Sequence, residues 1–193
     1  IRAFTARADE LGVGSAVSFL REIDEINLRQ RRRTVAIARD MAGGGFKGRR
    51  IAVLGATFKP DSDDVRDSPA LAVAAEIHRE GADVRLHDPE GMDNARAALP
   101  LLEYVPDVAK ACEGADLVLH LTEWSDYRRI DPVALAAVTR ARKILDARNA
   151  LDAALWRSAG WTLRALGRPM LPPLPSQQTA VDHVSSVCSA ELA

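Results

Sequence analysis

Fourteen consecutive residues concentrate the charge chemistry of this 193-residue chain: Gly55-Ala56-Thr57-Phe58-Lys59-Pro60-Asp61-Ser62-Asp63-Asp64-Val65-Arg66-Asp67-Ser68. They follow an apolar run, Ile51-Ala52-Val53-Leu54, and lead into Ser68-Pro69, a favourable N-cap with proline at the first helical position. A buried strand therefore delivers Lys59 and Arg66 to the edge of a sheet, where phosphate-bearing ligands sit in open α/β structures. In one reading Lys59 meets a phosphate as a point charge and Arg66 clamps another with its planar fork. In the other, both cations merely neutralise Asp61, Asp63, Asp64 and Asp67 within the loop. The residue types leave both open.

Three further strand ends carry polar side chains. Asp146-Ala147-Arg148-Asn149 follows an apolar run, and Arg148 combined with Lys59 on one sheet edge points to an anion pocket. Thr122-Glu123-Trp124 closes a probable central strand, so Trp124 is expected to wall a ligand cleft rather than only cover the sheet. At His87-Asp88-Pro89 the structural reading is favoured: Asp before Pro closes a strand, and His87 reads as half-buried. The first strand-to-helix turn holds one glycine, Gly55, in place of G-x-G-x-x-G, which argues against ordinary dinucleotide binding by this sheet. Cys112 lies in a helical run without a nearby His, so a packed thiol is expected.

The elements that must position these groups alternate. Strands are predicted over 51–56, 83–86, 117–121, 143–146 and 161–165, with 103–105 a weak extra. Helices are predicted over 69–80, 92–99, 106–112, 132–138 and 151–158. Such alternation makes a parallel, doubly wound α/β sheet with right-handed crossovers. Residues 1–46 read as helical. Ile23, Asn27, Gln30, Thr34, Ile37 and Met41 recur every three or four positions, while Arg29, Arg31, Arg32, Arg33 and Arg39 fall mostly off that stripe. A helix over 16–42 is about 40 Å long at 1.5 Å per residue, and Gly43-Gly44-Gly45 ends it. Asn27 and Gln30 on its apolar face are expected to meet a second subunit or another domain. Residues 169–193, rich in Pro, Ser and Gln, read as a flexible tail.

With 26 Lys+Arg against 27 Asp+Glu, no global field favours nucleic acid or an anionic membrane. No apolar stretch approaches the roughly 20 residues of a membrane span. No signal peptide opens the chain, and a first residue other than Met suggests a fragment or a processed chain. Two Cys and four His without paired spacing argue against a disulfide framework or a zinc site, so a reducing, cytoplasmic setting is expected.

The Gly55–Pro60 run, Asp63-Asp64-Val65-Arg66-Asp67-Ser68-Pro69, Thr122-Glu123-Trp124 and Asp146-Ala147-Arg148-Asn149 together resemble the UDP-glucose 6-dehydrogenases and, more broadly, the UDP-glucose/GDP-mannose dehydrogenase family. The resemblance covers nearly all of residues 1–168 with four motifs in order. It implies a Rossmann-like sheet over 47–168 that binds a UDP-sugar, preceded over 1–46 by the end of a helical dimerisation domain, hence a homodimer through the helix 16–42. It implies oxidation of UDP-glucose to UDP-glucuronate with two NAD, through a thiohemiacetal and thioester on an upstream cysteine. That cysteine, the catalytic acids and the NAD domain are expected to lie outside this chain, so no catalytic residue is assigned and the chain alone is expected to bind weakly without turnover. Phe58, Lys59 and Arg148 resemble the residues that meet the UDP-sugar, and Arg66 resembles the arginine that reaches NAD phosphates. Ala147 stands where the family usually has glycine. Alternatives are a GDP-mannose or UDP-N-acetylmannosamine dehydrogenase, or a stand-alone nucleotide-binding or assembly module.

Overall fold

The computed structural model describes residues 1–175. A helical lead comprises α1 (Arg2–Glu10), a 3-10 turn (Gly14–Val17) and α2 (Phe19–Met41). It is followed by β1 (Arg50–Leu54), α3 (Pro69–Arg79), β2 (Asp83–His87), α4 (Met92–Ala98), β3 (Glu103–Tyr104), α5 (Val108–Cys112) and β4 (Leu117–His120). Then come α6 (Ser125–Arg128), α7 (Pro132–Val138), β5 (Lys143–Asp146), α8 (Ala153–Ser158), β6 (Thr162–Ala165) and β7 (Met170–Leu171).

The strands form one sheet in the order β3-β2-β1-β4-β5-β6-β7, parallel except for β7. Side-chain alternation covers both faces. Ile51 and Val53 of β1, Leu117 and Leu119 of β4 and Leu145 of β5 enter one core, with α2, α3 and α4. Ala52, Leu54, Val118 and Ile144 enter the other, with Cys112, Tyr127, Leu135 and Trp156 from α5 to α8. The doubly wound parallel sheet expected from the sequence is what forms. Its order reverses between β1 and β4, the switch point outside whose carboxyl ends ligands bind in such sheets.

Several boundaries differ from the sequence reading, and four of the shifts have local reasons. β1 ends at Leu54 because Gly55 takes φ 105°. α5 and α8 start later than predicted because Asp107 and Asp152 act as N-caps: Asp107 accepts from Lys110 N–H, and Asp152 from Ala154 and Leu155 N–H. α2 starts at Phe19, after the 3-10 turn. Residues 170–171 do not begin a tail. They form β7, antiparallel to β6, and Arg157 donates to the Pro172 carbonyl at 2.8 Å. The rest of the predicted tail, from 176 onward, lies outside the described residues. The predicted apolar stripe of α2 divides in two: Thr34, Ile37 and Met41 are buried, whereas Ile23, Asn27 and Gln30 are exposed. No described helix is long and apolar enough to cross a membrane.

Candidate functional site

The rim of the sheet is organised by Asp88, fully buried just after β2. Its Oδ2 accepts from the N–H groups of Ala56 (2.7 Å) and Thr57 (3.1 Å), the Thr57 hydroxyl (3.2 Å) and the Trp124 indole N–H (3.2 Å). Its Oδ1 accepts from Gly91 N–H (2.7 Å) and Glu90 N–H (3.1 Å). One carboxylate thus ties together the loops after β1, β2 and β4, a structural role that goes beyond the strand-closing one read from the sequence. His87 is buried rather than half-buried. Its Nδ1 lies 3.0 Å from the Tyr127 hydroxyl, and burial lowers its pKa.

The long loop after β1 is fastened at both ends. Ser68 caps α3 by accepting from Leu71 N–H, and its hydroxyl donates to the Ala56 carbonyl at 2.6 Å. Phe58 N–H donates to the Asp64 carbonyl, closing a subloop that presents Phe58 and Lys59. At Gly55 an added Cβ would lie 2.5 Å from Thr122 Cβ. The turn is therefore packed against the loop after β4, leaving no cradle for a dinucleotide pyrophosphate. The residues here do not fit NAD in the ordinary Rossmann manner.

Phe58, Lys59 and Arg148 come together on one cavity of about 590 Å³, within the range of small-ligand sites. Its floor includes Pro69 and Ala70 from α3 and Leu121 after β4, and its far wall is Asn27, Gln30, Arg31 and Thr34 from α2. Lys59 has no ion-pair partner among the described residues. Arg148 is paired with Glu123, with Nη2 2.8 Å from Oε1 and Nε on the other oxygen. That fork holds the Glu123 carboxyl below its usual range. It still leaves the Nη1 donors of Arg148 uncommitted.

Arg148 is aimed by a buried pair one strand away. Asp146 accepts from His120 Nδ1 (2.8 Å), Arg148 N–H (3.1 Å) and Leu151 N–H (2.9 Å), which fixes the turn after β5. Burial raises the Asp146 pKa, but these hydrogen bonds outweigh it and leave it lowered. The sequence signal was hidden because His120 reads as an ordinary residue of an apolar strand.

One expectation is revised, and the two readings left open for the loop cations divide between Lys59 and Arg66. Trp124 does not line this cavity: it is 4% exposed in the core between β4 and α6, with its N–H spent on Asp88. Of the two loop cations, Arg66 is the one that neutralises an acid, gripping Asp64 through Nε (2.9 Å) and Nη2 (2.8 Å). It is not among the residues that line the cavity. Arg31, read as off the stripe, was missed as a cavity residue. It lies four positions after Asn27, one turn along the same face, and that spacing was the available signal. Cys112 is the packed thiol expected, with burial pushing its pKa up to about 12.

A doubly wound sheet with cations gathered at its switch-point rim defines a nucleotide-binding α/β domain. Residues 52–153 match the UDP binding domain of the UDP-glucose/GDP-mannose dehydrogenase family, and the chain belongs to that family. It is similar to a UDP-glucose 6-dehydrogenase of Rhizobium meliloti, 40% identical over 128 residues, covering 66% of this chain and 29% of that protein. One from Bacillus subtilis is 34% identical over 150 residues, covering 72% and 32%. The solved UDP-glucose dehydrogenase of Pyrobaculum islandicum superimposes with a TM-score of 0.64 at 32% identity, over 77% of this chain and 32% of that one. The chain thus spans less than a third of the length of each.

Proposed function

We propose that this domain holds the nucleotide diphosphate of a UDP-sugar within a UDP-glucose 6-dehydrogenase, with Phe58, Lys59 and Arg148 as the contacts. The observation that carries this is the convergence of Lys59 and Arg148, from different strand ends, on one cavity. Lys59 supplies an unpaired charge. Arg148 keeps its fork on Glu123 and offers its remaining donors to phosphate oxygen. Phe58, half exposed at the mouth, gives a ring to cover base or sugar.

The oxidant in this reading would be NAD, supplying hydride acceptance when bound, and Arg66 is the residue of this chain that would contact its phosphates. The side chain is 90% exposed, so its ion pair with Asp64 is worth little and can be exchanged for a phosphate presented from outside. The exposed Phe19, Ile23 and Ile26 on the free half of α2 support pairing with a second copy there. A cytoplasmic, reducing setting fits the free thiol of Cys112.

Calorimetry of the chain with UDP-glucose, GDP-mannose and uridine tests the substrate reading. Weak but selective binding is expected, with UDP-glucose preferred over GDP-mannose and uridine. Lys59→Ala is expected to lower its affinity by roughly 10- to 100-fold, the worth of a contact to a charged group. Equal affinity in wild type and variant would remove Lys59 from the site.

A further inference from the structure

The cavity charge is unbalanced in a way that the loop motifs alone do not explain. Its lining contains three cations, Arg31, Lys59 and Arg148, and no acid. Glu123, outside the lining, offsets one of them. Arg31 forms no ion pair among the described residues. Its single hydrogen bond there runs from Nη2 to the Asp67 carbonyl at 3.0 Å, and its Nε is buried without a partner. A buried guanidinium N–H without an acceptor is costly and rare, and the side chain that carries it lines the cavity. Arg31 also borders a hollow between α2 and α3, but Glu76 already supplies an acid there.

We infer that Arg31 is a third anion-contacting residue of the ligand site, donated by the helical lead and meeting the diphosphate together with Lys59. This rests on the UDP-sugar reading above and extends it. Two cations without partners on a walled cavity match a ligand carrying two negative charges, and low-dielectric walls focus that field. The Asp67 carbonyl fixes Arg31 against the end of the Lys59-bearing loop. Ligand entry would then clamp α2 to the sheet rim, because one anion is gripped from both sides. Lys47 and the other arginines of the lead cannot substitute, since none of them lines the cavity.

The test uses calorimetry of the 193-residue chain with UDP-glucose and with uridine, on wild type, Arg31→Gln and Arg32→Gln. Arg32 is one position along the same helix, is exposed, and does not line the cavity. Arg31→Gln is expected to weaken UDP-glucose by about tenfold or more, and Arg32→Gln by less than about twofold. Unchanged affinity in Arg31→Gln overturns the inference, as does an equal loss in Arg32→Gln, which would make the effect one of general charge. In case Arg31→Gln does not fold, the Nε–H resonance of Arg31 is followed in the ¹⁵N-labelled wild type. It is expected to move on adding UDP-glucose and not uridine, and a stationary signal with UDP-glucose bound overturns the assignment. Wild-type protein that binds UDP-glucose no better than uridine would instead bring down the substrate reading itself.

Discussion

Replacing Asp88 by Asn changes one atom and tests the whole rim. Four donors converge on Oδ2 and two on Oδ1, all from the loops after β1, β2 and β4. An asparagine keeps one oxygen and turns an NH₂ towards the remainder. In its better orientation the amide faces Glu90 and Gly91 N–H, so at least two bonds to a charged acceptor become donor-to-donor contacts. At about 1.5–3 kcal/mol each, the loss is about 3–6 kcal/mol at this fully buried position. For a chain of this size 1 kcal/mol moves the melting temperature by about 2–4 °C, so a drop on the order of 10 °C is expected. Thermal unfolding of wild type and Asp88→Asn by circular dichroism at pH 7 measures it directly. A shift below about 2 °C would refute the claim that this carboxylate holds the three loops together.

Other expectations follow from the same geometry. Gly55→Ala combines a φ of 105° with a Cβ 2.6 Å from the Thr122 backbone nitrogen, and should cost about 2–5 kcal/mol in a urea melt; an unchanged midpoint would show that the two loops can separate freely. The Arg66 fork holds Asp64 at about 2 against the usual 3.8, so its contribution is present above 3.8 and is lost as pH falls towards 2. Carboxyl ¹³C titration should return Asp64 towards 3.8 in Arg66→Ala, and a value still near 2 would remove Arg66 as the cause. Cys112 should resist iodoacetamide at pH 8 in the native chain and react in urea, as read by peptide mass mapping. Rapid native alkylation would mean that α5 opens readily.

Most of the architecture was legible because short continuous apolar runs, the mark of strands buried on both faces, alternate with helical segments. Ile51 to Leu54 and Leu117 to Leu119 admit few other readings once helical segments separate them. The rim was less legible for a physical reason: its order comes from hydrogen bonds between loops remote in sequence. Asp88 could be read as a strand-closing acid, but nothing local announces that Ala56, Thr57, Gly91 and Trp124 all donate to it. Trp124 was harder to place for the same reason: it borders a hollow with Asp61, Ser62, Asp63 and Glu90 rather than the cavity that Lys59 and Arg148 share. Lys59 and Arg148 were legible because charges that follow the carboxyl ends of parallel strands share one rim of the sheet, even with β4 standing between β1 and β5. Arg31 escaped because its role depends on how α2 docks, and helical spacing alone does not fix that rotation.

The second half of α2 shares its core with the sheet: Val35, Ile37, Ala38 and Met41, joined by Phe46 just past the glycines, belong to the same apolar cluster as Ile51 and Leu119. Cutting the gene at the triple glycine, the visually obvious seam, would strip a whole face of its cover. A recombinant piece starting at residue 47 should aggregate or melt early, whereas one starting before Phe19 should stay soluble. For this molecule the practical unit for expression and crystallisation is helix plus sheet, and the linker between them is a hinge in sequence only.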